Sequence, residues 1–315
     1  MEFAETLPKQ IGNVKLNYEF YPGEDIYSDG AIEDEILEIT KNAARIEYPK
    51  IIEEKNSWPV LYHLSALRGN IVDWLPITKD MKVLEIGSGC GPITGVLARK
   101  AKSVICIDLS KMRSTINAYR NRECDNVKIM VGNFQDVESS LTEKYDYITL
   151  IGVFEYSQGY IGTAQPYVEM LRRIARHLAL GGRIVIAIEN RLGLKYWAGC
   201  TEDHVGKYFE GLENYPDTRS VRTFSRKELS DIIDQAGEFK TTFYYPYPDY
   251  KFPMTIYSDK RLPKKGELRD NFCNFDRNRI QLFNEGKVYD SLTDAGLFQE
   301  FSNSFLVIVE RKENK

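Results

Sequence analysis

The stretch Val83-Leu84-Glu85-Ile86-Gly87-Ser88-Gly89-Cys90-Gly91-Pro92 constrains this chain more than any other. Its apolar run reads as a buried strand, and three alternate glycines then turn the chain sharply. Pro92 opens a helix, where its fixed φ is suitable and its missing N–H costs nothing. Strand, turn and helix form the ligand-binding corner of an open parallel sheet, where the absence of Cβ atoms lets a ligand approach the backbone. The dinucleotide fingerprint fits neither register: begun at Gly87 it needs a small residue where Pro92 stands, and begun at Gly89 it meets Thr94. Glu85 adds a carboxylate ahead of the turn, unfavourable beside a pyrophosphate and favourable beside an ammonium or sulfonium group.

From residue 82 onward the pattern alternates strand and helix, the signature of a parallel sheet with crossovers. Strands are expected at 82–86, 103–108, 127–131, 145–151, 183–188, 239–245 and 304–310. Helices are expected at 92–101, from Ser110 to about 122, from Pro166 to Leu180 with Gly181-Gly182 as the stop, and at 227–236. Ser225 and Glu228 form a capping box for the last of these. Before the sheet, residues 1–30 show no clear periodicity and read as an irregular arm with room for short strands. Ile32, Ile36, Ile39 and Ala43 recur at helical spacing, and Trp58 to Pro76 suits a helix packed on the core. Prolines in Tyr245-Pro246-Tyr247-Pro248-Asp249-Tyr250 exclude a central strand there.

The motif Glu85-x-Gly87-x-Gly89-x-Gly91 resembles the first motif of class I S-adenosylmethionine (SAM)-dependent methyltransferases. Asp108, which ends the second strand, strengthens the likeness, because a carboxylate there can accept both ribose hydroxyls of a nucleoside. The resemblance implies a Rossmann-like α/β fold with a seven-stranded, mostly parallel sheet and helices on both faces. It further implies an N-terminal helical cover over residues 1–80 and a SAM-binding domain over 81–315, with insertions at about 191–222 and 254–296. The implied cofactor contacts are Glu85, Gly87, Ser88, Gly89 and Gly91 at the turn, and Asp108 and Leu109 at the ribose. Asn133 and Phe134 take the adenine position, and Gly152 and Val153 lie where the fourth strand leaves the sheet beneath the methyl group. The family often has Asp where this chain has Asn133. From the cover, Tyr62 and Arg68 are candidates to face the cofactor, since an arginine fork suits the methionine carboxylate.

Methyl transfer from a sulfonium requires alignment, exclusion of water and, for a hydroxyl nucleophile, removal of a proton. His204 is the candidate base because imidazole titrates near neutrality, with His63 in reserve. Glu189 and Asn190 emerge at the C-terminal end of the fifth strand, where catalytic groups collect. Asp203, His204 and Glu189 could instead hold Mg²⁺, a use that spacing alone does not decide, and no metal ligand set is assigned. The stretch from Ile188 to Trp197, the triplet Glu202-Asp203-His204 and the 245–250 segment resemble methyltransferases that accompany glycosyltransferases in bacterial surface-polysaccharide assembly. That likeness implies a glycan acceptor and a glycosyltransferase partner. Methylation of a small molecule or protein stays open, as does a non-catalytic SAM-binding scaffold.

The formal charge of −4 offers no global attraction to a polyanion, so nucleic acid is not expected as a partner. No apolar run is long enough for a membrane span. Five widely spaced cysteines, Cys90, Cys106, Cys124, Cys200 and Cys273, without C-x-x-C, fit a reducing cytoplasm rather than a disulfide frame or cysteine zinc site.

Overall fold

The computed structural model describes residues 7–25, 28–269 and 279–312, so Cys273 and the ends of the N-terminal arm lie outside the described residues. The chain forms two compact units, residues 1–149 and 150–315. Among the described residues there are ten strands rather than the seven expected. All seven expected strands form; of the additional three, two lie in the N-terminal arm, where short strands were allowed for without bounds, and one in the expected 254–296 insertion.

In the first unit the strand order is β1 (Gln10–Ile11), β2 (Val14–Phe20), β5 (Val127–Gly132), β4 (Ser103–Asp108) and β3 (Lys82–Ile86). β3, β4 and β5 are parallel, with Val83 opposite Val104 and Val104 opposite Val127. Such central strands are apolar on both faces, and Val83, Leu84, Val104, Cys106, Ile129 and Val131 are all buried. β2 adds in parallel to the free edge of β5, and its register shifts between Asn17 and Phe20. Only Val14 and Leu16 of β2 alternate cleanly into the core, which is why the arm reads as irregular.

Helices that precede the glycine turn in sequence pack on it. Ile36 of the helix Ile32–Asn42, with Tyr48, Val60 and Leu64, buries against Cys90 of the turn and Ile116. The expected helix from Trp58 is broken, however. It stops at Leu64, and Ser65 restarts the chain as a 3₁₀ turn by accepting from the Leu67 N–H. A serine oxygen that can bond the backbone two residues on competes with continuing the helix.

β6 (Tyr145–Ile151) leads the chain into the second unit, whose strand order is β7 (Leu178–Glu189), β10 (Ser304–Arg311), β8 (Phe239–Tyr247) and β9 (Thr255–Ser258), all antiparallel. β10 lies between β7 and β8 and is buried along most of its length. The helix Pro166–Arg176 ends before the glycine pair expected to stop it, and Gly181, at φ 72°, falls inside β7 instead. Pro246 sits in β8 opposite Ile256 of β9, beyond the residues of β8 that pair with β10. β9 is the strand hidden in the expected 254–296 insertion. The capping box of the helix Arg226–Ala236 forms as anticipated, with Ser225 Oγ accepting from the Glu228 N–H. No helix among the described residues is long and apolar enough to cross a membrane.

Candidate functional site

The first unit carries the glycine turn. Gly87, Gly89 and Gly91 have φ of 69°, 50° and 72°, in the left-handed region that L side chains avoid. At Gly91 a Cβ would lie 2.2 Å from Asn117 Oδ1, so the turn is pressed against the helix Lys111–Arg120. At Gly89 a Cβ would meet nothing within 4 Å, which leaves the backbone open to a ligand. Ser88 is buried, and its Oγ has no hydrogen-bond partner among the described residues.

Asp108 closes the turn from the tip of β4. The Gly89 N–H donates to its Oδ2 at 2.7 Å and the Ser110 N–H to its Oδ1 at 3.0 Å. Burial raises its pKa, and the two backbone donors oppose that rise. A carboxylate has about four lone-pair sites, so two remain for ribose hydroxyls. Leu109 follows, half-buried. Asn133 caps the short helix Phe134–Val137 by accepting from the Gln135 N–H at 3.0 Å, and Phe134 is buried beside it.

The cover supplies a buried cation. The Arg68 guanidinium stacks on the Tyr62 ring at 4.0 Å, and its Nε and Nη1 have no hydrogen-bond partner among the described residues. At 4 % exposure those donors lack water as well, and a carboxylate would satisfy them in a bidentate fork. Gly69 holds this segment against the helix Thr94–Lys100, since a Cβ there would lie 2.6 Å from Val96 Cγ2. His63, the reserve base, is buried with Nε2 3.3 Å from Asp29 Oδ2; burial lowers its pKa, opposed by Asp29.

Glu85 departs from expectation. The helix after the turn brings Thr94 back onto its carboxyl, where Thr94 Oγ1 donates to Oε2 at 2.6 Å and Cys106 Sγ lies 3.4 Å away. Burial pushes its pKa up to about 7. It is therefore a titrating group beneath the turn, not a fixed negative charge aimed at a cationic ligand.

The second unit contains Gly152, Val153 and the expected catalytic residues. Gly152 has φ 69°, donates to the Ala187 carbonyl at 2.9 Å, and is covered by Tyr250, whose Oη would lie 2.7 Å from a Cβ there. Val153 is buried next to it. The insertion after β7 folds back so that His204 meets Glu189. His204 Nδ1 lies 2.9 Å from Glu202 Oε1, while Nε2 lies 3.4 Å from Glu155 Oε1 and 3.7 Å from Glu189 Oε2. Burial disfavours a charged imidazole, but Glu189, Glu155 and Glu202 outweigh it and raise the His204 pKa well above the ordinary value. Burial also raises the Glu155 pKa, against the pull of His204.

Lys251 Nζ joins this group at 2.6 Å from Glu189 Oε1 and also pairs with Asp203. Asp203, adjacent to His204 in sequence, turns away from it toward Lys195 at 2.8 Å. Burial opposes the Asp203 charge, yet the two lysines hold its pKa well below the usual carboxylate range. Glu202 is the residue that orients His204, and it is itself held by the His204 and Val205 N–H groups and the Tyr215 hydroxyl.

Asn190 does not belong with the catalytic candidates. Its Nδ2 donates to the carbonyls of Glu300 and Ser302, both at 2.8 Å, and its Oδ1 accepts from the Leu192 N–H at 3.0 Å. The amide is fully buried and spent on tying the end of β7 to the chain before β10. Glu155 and Lys251 were missed by sequence reasoning. Glu155 lies two residues beyond Val153 in the loop after β6, so its placement at a strand's C-terminal end was a usable signal; Lys251 carried none.

A family model described as a methyltransferase domain matches residues 62–238. Ribosomal RNA small subunit methyltransferase A of Koribacter versatilis is 34% identical over 100 residues, which is 29% of this chain and 35% of that protein. The same-named protein of Leuconostoc mesenteroides is 33% identical over 92 residues, 29% of this chain and 31% of its own length. The chain thus spans about a third of the length of these relatives. Haemonchus contortus phosphoethanolamine N-methyltransferase 1, in complex with phosphoethanolamine and S-adenosylhomocysteine, aligns with TM-score 0.47 and 13% identity over 88% of this chain and 50% of that one. The two ribosomal RNA methyltransferases overturn the expectation that nucleic acid is excluded as a partner. A whole-chain charge of −4 averages over local patches, so it excludes no polyanion.

Proposed function

The chain belongs to the methyltransferase-domain family and uses S-adenosyl-L-methionine as methyl donor, and from that premise we propose that it methylates a sugar hydroxyl of a glycan or glycan precursor. The observation that carries this reading is the insertion in the second unit that bears His204. On either side of that histidine it exposes three large aromatic rings, Trp197 at 46%, Tyr208 at 52% and Phe209 at 44%. Partly exposed aromatic rings suit the C–H surfaces of sugars. The same segment brings His204 to Glu155 and Glu189, carboxylates able to take the proton that a hydroxyl must lose.

In this reading the acceptor oxygen forms a bond to the methyl carbon as the carbon–sulphur bond breaks. The electron pair goes to sulphur and leaves S-adenosylhomocysteine, and the hydroxyl proton passes to the Glu155–Glu189–His204 group. Asp108 would hold the ribose, Asn133 and Phe134 the adenine, and Arg68 the methionine carboxylate. The likeness of the 188–204 and 245–250 segments to enzymes of surface-polysaccharide assembly supports a glycosyltransferase partner and a cytoplasmic setting. The described cysteines Cys90, Cys106, Cys124 and Cys200 form no disulfide with one another, which fits that compartment.

The test is transfer of a radiolabelled methyl group from SAM to a panel of acceptors: nucleotide sugars, lipid-linked oligosaccharides, ribosomal RNA and small phenols. Label in a sugar fraction, released by ether cleavage and not by mild base, is expected. Label confined to RNA or to the small molecules would contradict the glycan reading.

A further inference from the structure

We propose that Glu155, Glu189 and His204 form a binding site for a divalent transition-metal ion. Their donor atoms all lie within 4.8 Å of one another. Metal–ligand bonds of about 2.0–2.2 Å at tetrahedral to octahedral angles separate neighbouring donors by about 3–3.6 Å. The two measured separations from His204 Nε2, 3.4 Å and 3.7 Å, are close to that range.

Three further features point to a cation. Glu155 is 1% exposed, and its Oε2 has no hydrogen-bond partner among the described residues; Glu189 Oε2 is likewise unpartnered at 0% exposure. A buried carboxylate oxygen without a donor is costly unless something positive meets it. Second, the charges around the group do not balance. Five carboxylates, Glu155, Glu189, Glu202, Asp203 and Asp249, face only Lys195, Lys251 and one imidazole, with Lys251 shared between Glu189 and Asp203. Third, Glu202 Oε1 accepts from His204 Nδ1 at 2.9 Å, which fixes the tautomer and directs Nε2 at the two glutamates. A carboxylate behind the non-ligating nitrogen is the support that metal-binding histidines commonly have.

One imidazole with two carboxylates favours Mn²⁺, Fe²⁺, Co²⁺ or Zn²⁺ over Mg²⁺, which prefers an all-oxygen shell. Three protein donors leave a coordination position open for water or another oxygen ligand. This inference does not depend on the acceptor, because it is tested with neither methyl donor nor acceptor present.

The full chain, treated with chelator and dialysed, would be titrated with Co²⁺ and followed by its visible d–d absorption. Saturation at one ion per chain is expected. Glu155→Gln and His204→Gln should each weaken Co²⁺ at least ~10-fold, and Glu202→Gln by about 10-fold through the lost support of the imidazole. Circular dichroism and thermal melting of the same variants serve as the check of folding. No saturable uptake by the wild type would overturn the proposal, as would equal Co²⁺ affinity in the folded variants. If His204→Gln does not fold, Glu155→Gln and Glu202→Gln decide between the same two outcomes.

Discussion

Replacing Glu85 by Gln is expected to stabilise the protein at alkaline pH, because the wild-type carboxyl must ionise in a place that penalises charge. Its folded pKa is pushed up to about 7 against the ordinary 4.5, chiefly by burial, with Thr94 and Cys106 opposing. That difference corresponds to about 3 kcal/mol at 1.36 kcal/mol per pKa unit. The carboxyl binds its proton more tightly in the folded chain. Its contribution to stability is therefore complete below about pH 4.5 and lost as the pH rises through about 7. Gln keeps an oxygen that can accept from Thr94 Oγ1, as Glu85 Oε2 does at 2.6 Å, and it does not titrate. Urea unfolding followed by circular dichroism from pH 5 to pH 8 measures the effect. The variant should gain about 3 kcal/mol over the wild type at pH 8, and less than about 1 kcal/mol at pH 5. An unchanged pH slope, or a variant less stable than the wild type at pH 8, would refute the reasoning.

Other substitutions separate packing from binding. Gly91→Ala drives a Cβ into Asn117 at a left-handed φ, so it should lower the melting temperature by several degrees, whereas Gly89→Ala faces open space and should cost only about 1–2 kcal/mol of backbone strain. SAM affinity measured by calorimetry should fall more for Gly89→Ala, relative to its loss of stability, than for Gly91→Ala. Arg68→Ala removes a fork with two open donors and should raise the SAM dissociation constant about 10- to 100-fold with little change in melting temperature. Asn190→Ala breaks three buried hydrogen bonds and should destabilise by about 2–4 kcal/mol while the turnover per folded molecule stays the same.

The glycine turn and its contact with Asp108 were legible because they are written locally. The glycines at 87, 89 and 91 and the acid at 108 lie at neighbouring strand ends, and a few residues of spacing specify that geometry. Glu85 was misjudged because its local position says nothing of Thr94 returning over it. The N-terminal strands β1 and β2 were allowed for only as short strands without bounds, because a two-residue strand and a half-irregular one carry little pattern. His204 and Glu189 of the acid–imidazole group were read from the sequence, but Glu155, Glu202 and Lys251 were not, for a related reason. Glu155, Glu189, Glu202, His204 and Lys251 come from four separate segments, and their meeting depends on how an insertion without periodicity closes. Asp203 shows the hazard of adjacency: it neighbours His204 in the chain but pairs with Lys195 and Lys251 in space.

The central claim is that the corner made by Gly89, Gly91 and Asp108 takes the nucleoside of SAM. Calorimetric titration of the wild type and of Asp108→Ala with S-adenosylhomocysteine, and separately with NAD, tests it most directly. The account predicts one saturable site for S-adenosylhomocysteine, weakened at least ~10-fold by the loss of two ribose hydrogen bonds to a charged acceptor, and no saturable heat with NAD. Equal affinity in the two proteins, or saturable binding of NAD, would contradict it.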